Sequence, residues 1–213
     1  MELYKYCKTE DMEALFEKNT LMLGTLFNWR GTGKYGEMAM DQSEGHMKTT
    51  GNVIFYDYRF LREIMVEGTV EEVDGGRRFE NKFMYTTDVY AFCTAASYSH
   101  DAHVRWLNCE GYASCYKILT ARLFFRAISG VLNDCNFVVY DRIHYYDPTL
   151  PNQTFMGTFH PALLKHNDFG SQDEVRAIWK PKDKNAQISP MCITVPHISK
   201  YCERYRTIGS SPT

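Results

Sequence analysis

One apolar stretch constrains the fold of this chain more than any other feature of its sequence. Residues 83–94 (FMYTTDVYAFCT) end in the continuous apolar run Val89–Cys93. A run of this kind is typical of a strand that is covered on both faces, because neither face then has to meet water. We therefore predict that Phe83–Thr94 lies inside a sheet and that other elements pack around it.

Strands and short helices are predicted on both sides of this stretch. Apolar and aromatic periodicity predicts further strands at 2–7, 20–26, 52–58, 69–73, 113–118, 136–146, 174–179 and 188–195, and helices at 9–19, 100–107, 120–129 and 160–166. In the first helix Thr9 is the predicted N-cap and Asn19 the predicted C-terminal stop. Gly75 and Gly76 predict a hairpin turn after the strand at 69–73.

These elements predict an α+β fold. We expect a single domain over residues 1–208, with a mixed, mostly antiparallel central sheet and short flanking helices. Residues 209–213 (GSSPT) are expected to form a disordered tail.

Composition excludes some classes of protein. Lys and Arg total 24 against 26 Asp and Glu, a formal net charge of -2, so the chain lacks the overall positive field of nonspecific nucleic-acid binders. A local basic groove remains compatible with this balance. Aromatic residues make up 15% of the chain, which favours a folded protein over a disordered one.

The cysteines and the N-terminus indicate a reducing compartment. The 7 cysteines are an odd number and form no CxxC pair, which argues against a disulfide framework or a structural zinc site. The N-terminus has no signal-peptide pattern, and no apolar run reaches the length of about 18 residues that spans a membrane. We expect a cytoplasmic protein without membrane contact, and the sequence leaves its oligomeric state open.

A Gly-rich loop at 28–45 concentrates charge between two predicted strands. Arg30 could bind a phosphate or carboxylate through its guanidinium. Asp41 and Glu44 could instead hold a divalent cation, which would indicate a nuclease or phosphotransfer site. The alternative is a surface loop whose charges serve solubility.

Two other charged patterns have both a structural and a functional interpretation. His100 and His103 are three residues apart, but two histidines are too few for a catalytic zinc, so we expect solvated surface side chains. Glu174 and Arg176 alternate with apolar residues and so share one face of a strand, where an exposed ion pair would explain them. Common nucleotide-binding and hydrolase motifs, such as the Walker A loop, GxGxxG, GxSxG and HExxH, are absent from the sequence.

The order of several segments resembles a family of bacterial and phage proteins whose function is unknown. The matching segments are LFNWRG at 26–31, AFCTAAS at 91–97, HVRWLNCEGYASCYKI at 103–118 and QDEVRAIW at 172–179. That family has four segments in this order: a Phe-Asn-Asp-Pro-Phe-Glu segment, a strand that ends in Cys-Phe-Ser, a Trp-containing helix and a Glu-x-Glu-x-Arg strand. The Asp-Pro-Phe-Glu part is missing from this chain, where the loop with Arg30, Asp41 and Glu44 replaces it.

The layout is also similar, more remotely, to that of ADP-ribosyltransferases. The resemblance implies an early cofactor-binding residue, here Tyr4 or Arg30, a middle Ser or Thr strand, here Thr94, and a catalytic glutamate on a late strand, here Glu174. The acidic or Gln residue two positions before that glutamate is matched by Gln172.

This resemblance implies an NAD-using transferase, with a role in phage defence or counter-defence. Its acceptor would be a nucleic acid, a protein or a nucleotide. Glu174 would stabilise the oxocarbenium-like transition state, and Trp106 and Tyr140 would form an aromatic shelf for nicotinamide. Two alternatives stay open: a nucleotide- or protein-binding module without turnover, and a metal-dependent nuclease built on Asp41, Glu44 and Glu174.

Overall fold

We describe the fold from a computed structural model. It covers residues 1–30, 46–48, 52–55, 65–67, 70–73, 76–80, 83–147, 153–155 and 160–209. The loop charges Asp41 and Glu44 lie outside the described residues, as do Ser210–Thr213 of the predicted tail.

The described chain alternates strands with short helices. Its strands are β1 (Leu3–Cys7), β2 (Thr20–Thr25), β3 (His46–Lys48), β4 (Asn52–Phe55), β5 (Met65–Glu67), β6 (Val70–Val73), β7 (Gly76–Glu80), β8 (Phe83–Tyr85), β9 (Tyr90–Ala95), β10 (Ser114–Ile118), β11 (Cys135–Arg142), β12 (His144–Tyr146), β13 (Gln153–Phe155), β14 (Leu164–His166), β15 (Glu174–Pro181), β16 (Met191–Thr194) and β17 (Cys202–Thr207). Its α-helices are α1 (Thr9–Lys18), α2 (His100–Glu110) and α3 (Ala121–Val131). Short 3₁₀ helices cover Phe27–Arg30, Pro161–Leu163, Asn167–Gln172 and Ile198–Tyr201.

The main sheet has eight strands and is antiparallel throughout. Its path runs β11-β15-β9-β1-β10-β17, and β2 joins β9 while β16 joins β2. The smaller sheets are β13-β4-β7-β6, β3-β8-β5 and the parallel pair β12-β14. The predicted α+β class with a mostly antiparallel sheet and short helices is confirmed. The single-domain boundary at residue 208 stays a prediction.

The two faces of the main sheet carry different side chains. On the core face, strand side chains pack under α1 and α3 in one apolar cluster that includes Leu3, Phe92, Val175, Ala177, Trp179, Leu15, Phe124, Phe125 and Ile128. The opposite face, which we call the site face, is covered by α2 and by the 3₁₀ helix Pro161–Leu163, whose Ala102 and Leu163 are buried there. Alternation along each strand decides which residues reach which face.

Local sequence signals explain the ends of the helices. Asn19 ends α1 in the left-handed conformation (φ 55°), as predicted, and its N–H donates to Ala14 and Leu15 carbonyls. The predicted N-cap is wrong: Lys8 is the capping position, and the Thr9 hydroxyl instead hydrogen-bonds to Ser114 on β10.

Helix α2 is bounded by a capping serine and a glycine. Ser99 accepts a hydrogen bond from Ala102 N–H, which satisfies a free amide of the first turn, and Gly111 (φ 72°) ends the helix.

Three sequence predictions need correction here. Phe83–Thr94 is not one strand, because β8 pairs in the three-stranded sheet and only β9 lies inside the main sheet. The segment 160–166 is a 3₁₀ turn followed by β14 rather than a helix, and β17 is a further strand after the one predicted to be last.

Two further findings concern the hairpin and the helices. The predicted hairpin is confirmed in its strand pairing, since β6 and β7 pair antiparallel with Val73 opposite Gly76. Gly76 belongs to β7, and residues 74–75 of the predicted turn lie outside the described residues. Of the helices that the structure describes, none has the length and apolar character to cross a membrane. Cytoplasmic localisation stays a prediction.

Candidate functional site

A cavity of about 110 Å³ opens on the site face of the main sheet. Its walls are aromatic and its floor is polar and charged. The aromatic side chains are Tyr4, Tyr6, Trp29, Trp106 and Tyr112, and the polar ones are Lys5, Cys93, Thr94, Lys165, Gln172, Glu174 and Arg176.

Strand alternation on β15 brings the charged floor together. Val175 and Ala177 belong to the core cluster, so Glu174 and Arg176 point to the opposite, site face. Cys93 on β9 lies directly across from Arg176 and shares that face. Part of the predicted alternation is thus confirmed, but the pair is not exposed: Glu174 is 6% exposed and Arg176 0%.

Glu174 is a buried carboxylate between two cations. Its Oε1 accepts from Arg176 Nε at 2.8 Å, and its Oε2 accepts from Lys165 Nζ at 3.2 Å. Burial alone would raise the pKa of this carboxyl, but the charges of Arg176 and Lys165 outweigh it and hold the pKa well below its ordinary value. Glu174 is therefore ionised at neutral pH.

Lys165 reaches the site from the short strand β14. It is 4% exposed, and its ammonium also donates to Gln172 Oε1 at 2.9 Å and lies 4.7 Å from the centre of the Phe169 ring. Gln172 and Glu174 both reach this ammonium, and Asp173 between them adopts a left-handed conformation (φ 45°). Gln172 stands where ADP-ribosyltransferases carry an acidic or Gln residue two positions before their glutamate. Here Gln172 and Glu174 both accept a hydrogen bond from Lys165.

Arg176 is fixed from a second direction. Its Nη1 donates to the Ala162 carbonyl at 2.7 Å, and its guanidinium lies 5.3 Å from the centre of the Trp29 ring. The turn that presents this carbonyl is capped by His160, whose Nδ1 accepts from Ala162 N–H at 3.1 Å. Burial lowers the pKa of His160 to about 4, so the imidazole is neutral and able to accept at physiological pH.

Tyr145 holds the backbone at the start of β15. Its hydroxyl accepts from Glu174 N–H at 3.0 Å. Burial raises the pKa of this phenol to about 12, so it stays protonated. The carboxylate is consequently fixed through its backbone as well as through its side chain.

A gap in the main sheet lies beside this floor. One edge of β9 pairs with β15, and the other pairs with β2 at Ala91 and with β1 at Ala95. Cys93 lies between those two positions. Among the pairs that the structure describes, no residue of β1 or β2 pairs with Cys93 on this edge. Lys5 Nζ fills the place by donating to the Cys93 carbonyl at 2.8 Å.

The aromatic walls come from three separate segments. Trp106 on α2 stacks on Tyr112, with ring centres 5.3 Å apart and planes within 11°. Tyr4 and Tyr6 project from β1, since alternation sends Lys5 the other way. Trp29 follows β2 and packs against Gly24.

The structure brings four of the six predicted site residues to one cavity. Tyr4, Thr94, Trp106 and Glu174 line it, although the Thr94 hydroxyl donates to the Val175 carbonyl at 2.9 Å. Tyr140 lies elsewhere, because it pairs with Ala177 and packs against Phe125 on the core face.

Arg30 cannot be assigned to the site from its position. It ends the 3₁₀ helix Phe27–Arg30, and its side chain lies outside the described part of the structure.

The predicted histidine pair separates in the fold. His100 is exposed, whereas His103 is fully buried, which corrects the expectation of two solvated histidines. His103 packs between Tyr6 and Tyr98, and burial lowers its pKa. Within the described residues, no group of three or more His, Cys, Asp or Glu side chains could hold a metal ion.

Sequence reasoning missed the two lysines of the cavity. Lys165 lies in the apolar segment HPALLKH, and a lysine in such a segment was the available signal for a buried charge. Lys5 alternates with tyrosines in β1, which reads as an ordinary amphipathic strand. The Lys5 side chain leaves β1 on the core face and its ammonium donates to the Cys93 carbonyl, so Lys165 and Arg176 are the two cations beside the carboxylate of Glu174. The described lining therefore favours an anionic ligand with flat apolar parts.

Comparisons with protein-family models, with curated proteins and with solved structures find no match to this chain. The resemblances drawn from its sequence segments therefore stay predictions, and the site geometry has to support any function.

Proposed function

We propose that this protein binds NAD in the site cavity and transfers its ADP-ribosyl group to an acceptor. The observation that carries the proposal is a buried, ionised Glu174 in a cavity whose other walls are aromatic rings and cations. NAD has complementary chemistry, because it combines two flat heterocycles with a negatively charged diphosphate.

The proposed reaction gives each part of the cavity a task. The bond between ribose C1′ and nicotinamide breaks, and its electron pair leaves with the nicotinamide. The acceptor then donates an electron pair to C1′ and loses a proton. Glu174 would stabilise the positive charge that develops on the ribose, and the stacked Trp106 and Tyr112 would offer an apolar surface to a ring.

A second candidate function is nucleotide binding without turnover. It is favoured by the contacts of Glu174, since both of its oxygens already accept hydrogen bonds from Arg176 and Lys165. A carboxylate held in this way can shape a binding site without acting on a ribose.

The nuclease alternative has less support from the described residues. Lys165 and Arg176 occupy positions around Glu174 that a divalent cation would need, and Asp41 and Glu44 lie outside the described residues. A role in phage defence or counter-defence rests on the sequence resemblance and stays a prediction.

Glu174→Gln tests the proposed reaction. We expect the wild-type protein to bind NAD in calorimetry and to release nicotinamide when an acceptor is present. The variant keeps the shape of the side chain but loses its charge, so turnover should fall by about 100-fold or more while NAD affinity changes by much less. Far-UV circular dichroism and thermal unfolding would show that the variant is folded.

Tyr140→Phe is the matched control, because it removes one hydroxyl on the core face. This variant should bind and turn over NAD like the wild type. Binding without nicotinamide release in the wild type would favour the second candidate. Absence of NAD binding in the wild type would contradict the proposal.

A further inference from the structure

Three tyrosines continue the aromatic wall of the cavity onto the surface of the sheet. Tyr4 lines the cavity, and its ring centre lies 5.1 Å from that of Tyr205 and 6.1 Å from that of Tyr98. The rings of Tyr98 and Tyr205 are themselves 5.0 Å apart. We call Tyr4, Tyr98 and Tyr205 the aromatic platform. Tyr205 is 43% exposed, so the platform reaches solvent next to the mouth of the cavity.

The platform carries its own cation. Arg206 follows Tyr205 on β17, and its guanidinium lies 5.5 Å from the centre of the Tyr98 ring. Lys117 lies beside Tyr4 on the same face, where it is paired with the exposed carboxylates of Glu2 and Glu203.

The position of β17 leaves room for a ligand on this surface. β17 ends the path of the main sheet and, of the strands that the structure describes, pairs with β10. Its residues from Glu203 to Thr207 are all exposed. A ligand that rests on Tyr205 can therefore extend past the sheet edge without displacing any part of the fold that the structure describes.

We propose that this platform stacks a base of single-stranded nucleic acid and presents the strand to the cavity as acceptor. The exposed ring of Tyr205, next to the guanidinium of Arg206, offers the pair of contacts that binds an unpaired base, one through its flat face and one through base or phosphate, while the partly buried Tyr4 and Tyr98 support that ring. Bases within a duplex are already stacked and paired and could not use such a platform. The net charge of -2 argues against a long backbone-tracking groove, so the contact should involve few nucleotides.

The binding step stands independently, whereas the acceptor role rests on the proposed function. In that role, a nucleophilic oxygen or nitrogen of the strand would form the new bond to ribose C1′ and lose its proton as nicotinamide leaves with the electron pair of the broken bond. The distance from a strand bound on the platform to the cavity is short, because Tyr4 belongs to both the platform and the cavity.

Fluorescence anisotropy without NAD tests the binding step. The probes are a labelled short oligodeoxythymidine, an oligouridine of the same length and a DNA duplex. We expect a single strand to bind and the duplex to bind much more weakly. Tyr205→Ala should weaken single-strand binding by about tenfold or more, the usual effect of removing one stacking ring, and Tyr205→Trp should restore it.

Phe137→Ala is the matched control, since Phe137 has a similar exposure (41%) but lies on β11, away from the platform. It should leave strand binding unchanged. Equal binding by Tyr205→Ala and the wild type, or equal binding of duplex and single strand, would overturn the proposal. Exclusive modification of peptides, with no strand bound, would overturn it in favour of a protein acceptor.

The two proposals fail separately. Loss of strand binding in Tyr205→Ala would support the platform even if the wild type did not consume NAD. Nicotinamide release that no strand stimulates, together with absent strand binding, would remove the platform and leave the proposed NAD chemistry intact.

Discussion

At the scale of single residues, Glu174, Lys165 and Arg176 form one buried charge group. Glu174 and Lys165 are 6% and 4% exposed, and Arg176 is 0% exposed. A buried charge that loses its partner keeps the cost of leaving water and forfeits the attraction that offset it. The three side chains therefore depend on one another for folding as well as for the shape of the cavity.

Lys165→Met tests this dependence because it keeps the length of the side chain and removes its charge. We expect it to lower the free energy of unfolding by about 3–5 kcal/mol, since Glu174 and Gln172 each lose a buried partner. Urea unfolding measures the change. Lys184→Met is the control, as Lys184 is exposed, and should shift stability by no more than about 0.5 kcal/mol. A stable Lys165→Met protein would show that the ammonium is dispensable.

The sequence predicted the residues of this charge group unequally. Glu174 and Arg176 could be placed on one strand face because alternation is a local property. Their burial could not be predicted, because the groups that cover them, the Ala162 carbonyl and Lys165, come from a segment read as a helix. The ion pair that the sequence predicted to be exposed is thus covered by residues from outside its own strand.

At the scale of elements, Gly24 lets strand β2 pack closely against the 3₁₀ helix Phe27–Arg30, because glycine has no side chain. A Cβ at Gly24 would lie 2.6 Å from Cζ2 of Trp29, well inside contact distance. The Trp29 ring is in turn the surface against which the Arg176 guanidinium rests. Gly24 therefore positions one wall of the cavity without touching a ligand.

Gly24→Ala should displace the Trp29 ring. We expect a loss of about 1–3 kcal/mol in stability from overpacking, a changed tryptophan fluorescence spectrum and, under the proposed function, weaker NAD binding. Gly130→Ala is the matched control, because a Cβ there meets nothing within 4 Å and lies in α3. That change should stabilise the protein by about 0.5–1 kcal/mol. Normal NAD affinity in Gly24→Ala would show that Trp29 has no part in binding.

Element types were largely predictable, and the exceptions have physical causes. The predicted strand at 83–94 is interrupted at residues 86–89, where the Asp88 carboxylate accepts from the N–H groups of Phe27 and Val89 and so competes with strand pairing. Strand β17 was missed because CERYRT shows no apolar alternation. This segment forms a strand because it pairs with β10, about 90 residues earlier in the chain, and a local sequence pattern cannot predict such a distant pairing.

At the scale of the whole molecule, the two faces of the main sheet differ in what they carry. The core face packs α1 and α3 over one apolar cluster, and the site face carries the cavity and the platform. The cavity draws on β1, β9, β14 and β15, so its composition depends on strand order. Strand order is set by long-range pairing, which explains why the strand face of a single residue such as Glu174 was predictable while the assembly of the cavity was not.

The gap in this sheet should be visible in hydrogen exchange. Ala96 N–H donates to Asp173 and Leu26 N–H donates to the Val89 carbonyl, so even-numbered amides of β9 face β15 and odd-numbered ones face β1 and β2. Phe92 and Thr94 are therefore paired with Ala177 and Val175, whereas Cys93 faces the gap.

We expect the Cys93 amide to exchange at least about tenfold faster than those of Phe92 and Thr94, because its exchange needs only local opening while theirs needs separation of β9 from β15. Exchange followed by NMR, residue by residue, measures this difference, and Ala91, which pairs with Gly24 on β2, is the internal control on the same edge. Protection of Cys93 equal to that of both its neighbours would mean that β1 or β2 closes over this position in solution, and the cavity floor would then be sealed along that edge.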